Sequence, residues 1–303
     1  MTGERGSEPV PSADRVDGVG AGFAAVLATD QVRGERFAAV LGSPIGHSLS
    51  PVIHSAGYAA AGLTGWSYRA HECVEAGLAG LVAGLDERWA GLSLTMPLKE
   101  VALTVADSVE PTARTLGAAN TLVRRAEGWH AVNTDAPGML DALRAAGVES
   151  AGQVTILGAG GTARAALAAA VGLGAHAVVV ARRVSAVEAL RPVSAGLGGK
   201  LTATDWSEAV PECQRADVVI STVPKGVADQ LATVPWPART VYFDVLYHPW
   251  PTPLAATAQR AGAVLISGLD LLLAQAVRQF ELYTGVPAPV EAMRAALAAA
   301  RIG

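Results

Sequence analysis

The amino-acid sequence predicts an α/β fold of two parts, the second of which is a doubly wound parallel sheet. Short apolar runs alternate with helical segments along most of the chain, as expected for strands joined by crossover helices. One strand also leads through a glycine-rich turn directly into a helix at residues 154–164, which is typical of such sheets. The 303 residues are 51% hydrophobic, which suits one large or two ordinary domains and excludes a disordered chain.

The first part of the fold follows residues 1–35, which we predict to be a flexible leader because Gly, Ser, Pro, Asp and Arg dominate them. An apolar run at 37–41, ended by Gly42, predicts the first strand. Further strands are predicted at 66–70, 89–94, 121–125 and 129–132, the last two as a hairpin. Helices are predicted at 51–63, 74–85, 99–105 and 111–116.

The second part of the fold follows Asp135, and its strands are short and mostly apolar, as expected for a sheet covered on both faces. These strands are predicted at 153–157, 178–181, 216–221, 241–245 and 263–266. Its helices are predicted at 138–146, 162–173 and 185–190. Two further helices, at 269–284 and 290–301, are predicted towards the end of the sequence.

Composition excludes several classes of function. The net charge of −4 leaves no basic excess to neutralise phosphates, which argues against a nucleic-acid partner. The longest apolar run, at 165–175, is shorter than the roughly 20 residues that span a bilayer, and the first residues lack a signal-peptide pattern. Cys73 and Cys213 stand far apart without a histidine cluster, so we expect neither a disulfide framework nor a metal site. A cytoplasmic protein is the simplest interpretation.

The glycine-rich turn matches the dinucleotide-binding pattern G-x-G-x-x-A. Gly158 allows the sharp turn, Gly160 lets the backbone approach a pyrophosphate, and the small Ala163 lets the helix pack close to the strand. The N-terminus of the helix adds free N–H groups and the positive end of its dipole. A plain tight turn is the alternative interpretation.

The strand after this turn selects the cofactor. An acidic residue about 20 positions on would bind a ribose 2′-hydroxyl and favour NAD. This sequence has Arg182 and Arg183 there, and its first acid is Glu188. Because a guanidinium suits a phosphate, we predict NADP, with Arg182 as the main contact of the 2′-phosphate and Arg183 as a second. A solvated arginine pair is the alternative.

Four polar clusters follow strands in the first part. Ser48 and Ser50 precede a helix and suit an anion, although a capping serine beside a loop serine is the alternative. Lys99 follows a buried strand and suits general acid–base chemistry; the alternative is a surface lysine, but the sequence has only three lysines against twenty arginines. Asn120 lies in the third cluster. Asp135 lies in the fourth and faces a cleft or caps the next helix.

Eight motifs, in order, resemble the shikimate dehydrogenase family from Phe37 onward. They are Gly42–Pro51, Thr95–Lys99, Gly117–Thr121, Asn133–Asp135, Gly158–Arg164, Asp244–Tyr247, Thr252–Pro253 and Gly268–Gln275. The resemblance implies a two-domain enzyme of aromatic amino-acid biosynthesis that reduces 3-dehydroshikimate to shikimate with NADPH. It implies a substrate domain of residues 36–135 plus 268–303 and an NADP-binding Rossmann domain of residues 136–267.

The resemblance also assigns roles to residues. It implies that Lys99 and Asp135 are the catalytic acid–base pair, with Lys99 the acid in reduction and the base in oxidation. It implies that substrate is bound by Ser48, Ser50, Thr95, Asn120, Tyr247 and Gln275. It assigns Arg182 to the 2′-phosphate of NADP, in agreement with the residue-based prediction. The full set of residues predicted to bind NADP(H) is Gly158, Ala159, Gly160, Gly161, Thr162, Ala163, Arg182, Arg183, Thr222 and Gly268. A small-molecule substrate is therefore expected, with the protein a monomer or homodimer.

The sequence departs from the family pattern at Ser55 and Ser93, where asparagine is usual, and at Arg183 beside the cofactor arginine. Three alternatives stay open. A quinate/shikimate dehydrogenase or an aminoshikimate enzyme of the same family would keep the fold. A non-catalytic NADP-binding regulator would be expected to lack the lysine–aspartate pair, which is present here.

Overall fold

The computed structural model describes residues 34–300, so most of the predicted leader lies outside the described residues. It contains two six-stranded sheets, and each is covered by helices on both faces. The mixed α/β architecture predicted from the alternation of strands and helices is therefore confirmed. Within the described residues, none of the helices combines the length and apolar character that crossing a membrane requires.

The first sheet is mixed, with strand order β2-β1-β3-β5-β6-β4. Its strands are β1 (Arg36–Gly42), β2 (Trp66–Glu72), β3 (Trp89–Leu94), β4 (Ser108–Val109), β5 (Thr121–Arg125) and β6 (Gly128–Val132). The β1 strand runs parallel to both of its neighbours, whereas β5 pairs antiparallel with β3 and β6. The predicted hairpin is thereby confirmed as β5–β6.

Helices cover both faces of this sheet because its strands are apolar on both sides. Phe37, Ala39 and Leu41 of β1 face one core, and Ala38 and Val40 face the other, which is the period of two that a strand imposes. The helices of this stretch are α1 (Ser50–Ala60), α2 (Glu75–Ala83), α3 (Ala102–Val105) and α4 (Pro111–Leu116).

The second sheet is parallel throughout, in the order β12-β11-β10-β7-β8-β9. Its strands are β7 (Gln153–Leu157), β8 (His176–Ala181), β9 (Lys200–Asp205), β10 (Val218–Ser221), β11 (Val241–Asp244) and β12 (Val264–Ile266). Strand order reverses at β7, the first strand of the set. This is the arrangement of doubly wound dinucleotide-binding sheets, in which ligands lie beyond the carboxyl ends of the strands at that reversal.

The remaining α-helices pack on this sheet or return to the first one. They are α5 (Asp135–Ala145), α6 (Gly161–Gly172), α7 (Val184–Val187), α8 (Arg191–Gly196), α9 (Ala209–Arg215), α10 (Pro253–Arg260), α11 (Gly268–Thr284) and α12 (Val290–Ala300). The long α11 helix packs against β3 and β5 of the first sheet and against α5. A Cβ atom at Gly138 of α5 would lie 3.1 Å from the backbone nitrogen of Gln275, so glycine permits this close crossing.

Several predicted boundaries were wrong. The helix predicted at 138–146 begins at Asp135, and the helix predicted from Lys99 begins at Ala102. The segment predicted as a helix at 185–190 is a short α-helix followed by a 3-10 turn at Glu188–Leu190. The edge strands β4 and β9 were missed because neither is an apolar run: β9 reads KLTATD and alternates polar with apolar residues. No helix was predicted at α8, α9 or α10.

Candidate active site

A cavity of about 340 Å³ opens at the carboxyl ends of β1 and β3, opposite the N-terminus of α6. Residues from both parts of the fold line it. Nine of the predicted site residues do so: Ser48, Ser50, Thr95, Lys99, Asp135, Thr162, Tyr247, Gly268 and Gln275. A volume of this size suits a small organic ligand. The cavity thus brings together residues that are up to 227 positions apart in the sequence.

Lys99 and Asp135 form an ion pair in this cavity, with 2.7 Å between Nζ and Oδ2. The Asp135 side chain is 9% exposed and that of Lys99 is 31% exposed, so the ammonium remains open to the cavity. Asp135 is the first residue of α5 and does not cap it; the Asn133 side chain accepts the Ala136 N–H instead. The carboxylate is therefore available to hold the ammonium, and the capping alternative is wrong.

Asn120 lies directly behind this pair and contacts both Asp135 and α11. Its Nδ2 donates to Asp135 Oδ1 at 2.9 Å and to Gln275 Oε1 at 3.0 Å, while its Oδ1 accepts the backbone N–H of Thr134 at 2.7 Å. The side chain is buried, 1% exposed. Asn120 thus fixes the Asp135 carboxylate on the side opposite to Lys99.

Ser48 and Ser50 lie at one end of the cavity, where α1 begins. Leu49 is the N-cap of this 11-residue helix, and its side chain forms no capping hydrogen bond. Neither serine is the N-cap residue, but Ser48 Oγ accepts the N–H of Ser50, the first residue of the helix, at 3.3 Å. The helix dipole and the two hydroxyls favour an anion at this end of the cavity.

Tyr247 reaches the cavity from the segment after β11, and a buried aspartate shapes that segment. Asp244 accepts hydrogen bonds from the hydroxyls of Tyr242 and Thr252 and from the backbone N–H of Leu246. Burial raises the pKa of the Asp244 carboxyl above its ordinary value, although the three donors work in the opposite direction. These bonds fold the chain between β11 and α10 and so position Tyr247.

The glycine-rich turn follows β7 as predicted. Gly158 has a φ of +103°, a conformation that favours glycine, and its N–H donates to the Val180 carbonyl at the end of β8. A Cβ atom at Gly160 or Gly161 would meet no other atom, so a ligand can approach the backbone there. Thr222 packs beside Gly158 and donates to the Leu157 carbonyl. The turn therefore presents an open backbone surface at the start of α6.

Of the residues predicted to bind the cofactor, Thr162 and Gly268 line the cavity and the others lie outside its lining. Those outside it are Gly158, Ala159, Gly160, Gly161, Ala163, Thr222, Arg182 and Arg183. Arg182 and Arg183 are exposed just after β8, and neither forms an ion pair within residues 34–300. The Gly158 N–H is hydrogen-bonded to the carbonyl of Val180 on the neighbouring strand β8. Arg182 follows β8 and therefore lies at the end of the strand next to the turn. Both guanidinium groups are thus available to an anionic ligand.

Sequence reasoning missed a buried polar cluster beneath the cavity. Tyr68, Ser93, Gln279 and Tyr283 are hydrogen-bonded to one another there, and Ser93 and Gln279 also line the cavity. Gln279 follows Gln275 by four residues on α11, and this spacing on one helix face was the only available signal for it. Tyr283 follows Gln279 by four residues on the same helix, whereas Tyr68 and Ser93 come from β2 and β3.

His54 lies within this cluster, completely buried, and its ring stacks on Tyr68 with 4.1 Å between centroids. Burial lowers the pKa of the imidazole from 6.5 to about 3, despite a partial offset from the nearby Gln279 side chain. The ring is therefore neutral at physiological pH. His54 thus takes no part in proton transfer and acts as a packing partner of Tyr68.

This burial predicts an acid-sensitive stability. Below pH 6.5 the unfolded chain protonates His54 and the folded protein does not, so the free energy of unfolding falls as the pH falls towards 3. Between pH 7 and pH 5 this one group should cost about 2 kcal/mol. The replacement His54→Phe keeps a stacked ring without a proton site, and urea unfolding at both pH values should show a loss smaller by that amount. The exposed-site variant His248→Gln is the control, and an unchanged pH dependence in His54→Phe would contradict the prediction.

The described part of the chain contains no cluster of side chains suited to bind a metal ion. Within residues 34–300, no group of three or more histidine, cysteine, aspartate or glutamate side chains is arranged to hold a metal ion. Cys73 and Cys213 are both buried and free.

Comparisons with known proteins agree with this geometry. A family model described as the shikimate dehydrogenase substrate binding domain matches residues 40–122, and one described as the shikimate 5′-dehydrogenase C-terminal domain matches residues 268–298. A curated relative from Anaeromyxobacter sp. (strain K), named shikimate dehydrogenase (NADP(+)), is 37% identical over 269 residues. That alignment covers 86% of this chain and 95% of the relative.

Two solved structures extend the match to the fold. The shikimate dehydrogenase of Mycobacterium tuberculosis is 43% identical with a TM-score of 0.80, and the match covers 87% of this chain and 99% of that one. The shikimate 5-dehydrogenase of Thermus thermophilus, solved in complex with NADP(H) and shikimate, is 30% identical with a TM-score of 0.76. Its match covers 88% of this chain and 99% of that one.

Proposed function

The chain belongs to the shikimate dehydrogenase family, and we propose that it catalyses the reversible, NADP-dependent reduction of 3-dehydroshikimate to shikimate. The observation that carries the proposal is the Lys99–Asp135 pair, 2.7 Å apart, which lines the same cavity as the paired serines and Thr162 at the start of α6. A proton donor would therefore share one cleft with the proposed carboxylate site and the proposed dinucleotide site. An oxidoreductase acting on a CH–OH group needs these three features in one cleft.

The dinucleotide site fits NADP on three features of this chain. The backbone at Gly160 and Gly161 is open to approach, α6 begins without a side-chain cap, and Arg182 is exposed and without an ion pair within residues 34–300. The pyrophosphate would lie on the turn and the helix N-terminus, and the 2′-phosphate would contact Arg182. When bound, the nicotinamide supplies and accepts the hydride of the reaction.

The protein residues orient the substrate and move the proton. Ser48 and Ser50, with the N-terminus of α1, would hold the substrate carboxylate, and Tyr247 would close that end of the cavity. Thr95, Asn120 and Gln275 would hold the ring hydroxyls. As the ketone is reduced, the carbonyl oxygen takes the proton of Lys99 Nζ and becomes the hydroxyl; in oxidation the neutral amine takes it back. Asp135 keeps the ammonium aimed at that oxygen.

The architecture supports the division of the chain into two domains with different functions. We propose that residues 36–135 together with 268–303 form the substrate-binding domain and that residues 136–267 form the NADP-binding domain. The packing of α11 on β3 and β5 supports this division, as does the membership of β7 to β12 in one parallel sheet. That the protein works in the cytoplasm as a monomer or homodimer stays a prediction.

An absorbance assay of the reduced nicotinamide tests the proposed function. Purified protein is mixed with NADP or NAD and with shikimate or quinate, and the four initial rates are compared. We expect rapid reduction of NADP with shikimate and a rate lower by at least about tenfold in the other three mixtures. A preference for quinate would assign the enzyme to a different substrate of the same family. The absence of turnover in all four mixtures would contradict the enzyme assignment and favour an NADP-binding regulator.

A further inference from the structure

We propose that Thr121 and Gln279 are positioning residues of this enzyme, which act through a buried hydrogen-bond chain that orients Asn120 and thereby Asp135. The inference rests on the proposed function, because it takes the Lys99–Asp135 pair as the acid–base group. Thr121 is completely buried and Gln279 is 2% exposed. Neither is among the residues that the sequence assigns to substrate or cofactor.

The hydrogen-bond chain begins at Ser93, whose hydroxyl forms all of its hydrogen bonds with other groups of the protein. Its single proton goes to Gln279 Oε1 at 2.8 Å. The hydroxyl of Tyr68 donates to it at 2.6 Å, and that of Tyr283, 3.0 Å away, must then be a donor as well. Burial raises the pKa of both phenols, so they stay protonated at neutral pH. With one donated and two accepted bonds, Ser93 has no capacity left for a substrate, although it lines the cavity.

In the middle of the hydrogen-bond chain, the direction of each hydrogen bond is fixed by the bond before it. Because Oε1 of Gln279 accepts from Ser93, the amide end of Gln279 is turned the other way, and its Nε2 donates to Thr121 Oγ1 at 3.0 Å. The Thr121 hydroxyl, with that acceptor position filled, donates to Asn120 Oδ1 at 3.0 Å. Each group therefore determines which end of the next one can be a donor.

The hydrogen-bond chain ends at the Lys99–Asp135 pair. Since Oδ1 of Asn120 accepts from Thr121 and from the Thr134 N–H, its Nδ2 must face Asp135 Oδ1, to which it donates. A reversed amide would set its oxygen against a carboxylate oxygen, two acceptors with no proton between them. The hydroxyl of Thr121 thus helps to hold Asp135 in the position from which it binds Lys99.

The test is an isosteric replacement. The variant Thr121→Val removes the hydroxyl and keeps the shape and strand preference of the side chain, whereas Thr121→Ser keeps the hydroxyl. Because the Thr134 N–H still holds Asn120 in Thr121→Val, we expect kcat for shikimate to fall only about tenfold. The KM for shikimate and the Kd for NADP should stay within about threefold of wild type, and Thr121→Ser should retain kcat within about threefold.

A matched control separates positioning from stability. Thr155 is equally buried and donates its hydroxyl to a backbone carbonyl in the second sheet, so Thr155→Val removes a comparable bond away from the cavity. Thermal unfolding of both valine variants measures the structural cost. Loss of kcat in Thr121→Val but not in Thr155→Val, at a similar melting temperature, supports the proposal. Equal kcat in the two valine variants, or an equal loss in Thr121→Ser and Thr121→Val, overturns it while wild-type activity upholds the proposed function. A wild-type enzyme without turnover overturns both.

Discussion

Replacing Lys99 with methionine lowers the kcat for shikimate oxidation by about 10²- to 10⁴-fold, the range expected when a general acid–base group is lost. Methionine keeps much of the length and apolar stem of lysine and removes its proton. The sequence has three lysines, all within the described residues, and of these Lys99 alone lines the cavity. The replacement should leave the Kd for NADP within about threefold, because Lys99 is not among the residues predicted to bind NADP.

The matched control is Lys200→Met, the same substitution at an exposed position at the start of the β9 edge strand. Its kcat should equal that of wild type. Steady-state kinetics with saturating NADP and a fluorescence titration of NADPH separate turnover from cofactor binding. If Lys99→Met turned over substrate at more than about a tenth of the wild-type rate, another group would have to supply the proton.

Asp135→Asn examines the other half of the pair in the same assay. It leaves an amide in place of the carboxylate 2.7 Å from the Lys99 ammonium, and so weakens the bond that aims the proton. Because the two side chains act as a unit, Lys99→Met combined with Asp135→Asn should be scarcely slower than Lys99→Met alone. Additive losses would show that the two residues act independently.

Replacing Arg182 with alanine raises the Kd for NADP by about 10- to 100-fold and leaves the Kd for NAD within about threefold. A charge-assisted hydrogen bond to a phosphate contributes roughly 1.5–3 kcal/mol, and NAD has no 2′-phosphate to lose it. Arg182 follows β8, whose Val180 carbonyl accepts the N–H of Gly158, so the guanidinium lies one strand away from the turn. The preference for NADP over NAD should therefore fall by the same factor.

Two further variants define this effect. Arg183→Ala measures the contribution of the second arginine, which we expect to be smaller than that of Arg182. Arg215→Ala, at an exposed ion pair with Glu212 on α9, is the matched control and should leave both dissociation constants unchanged. Calorimetric titration with each cofactor gives the numbers directly. Equal weakening of NADP and NAD binding by Arg182→Ala would show that this arginine supports the fold of the turn and does not contact the 2′-phosphate.

Much of the fold was predictable because it depends on local patterns. The strands β1 and β3, and those from β7 to β12 apart from β9, are mostly apolar runs of three to seven residues, and burial explains this composition. β9 was missed because it lies at an edge of the sheet and is only half covered, so its sequence alternates. The start of α5 was missed because its first residue, Asp135, is used by the site and does not mark a cap.

The α/β class, the strand–turn–helix at Gly158 and nine residues of the cavity could be predicted from the amino-acid sequence alone. These features depend on residue type and short spacing, which the linear order of the chain preserves. The hydrogen-bond partners, in contrast, depend on tertiary packing, because the paired residues are far apart in sequence. Ser93 and Gln279 are 186 residues apart, and Asn120 and Gln275 are 155 apart. Each of these buried groups takes whichever donor or acceptor the packing of α11 on the first sheet brings within 3 Å, because an unpaired polar atom is costly there. That pairing uses the hydroxyl of Ser93, a position at which the sequence departs from the family pattern, to hold Gln279.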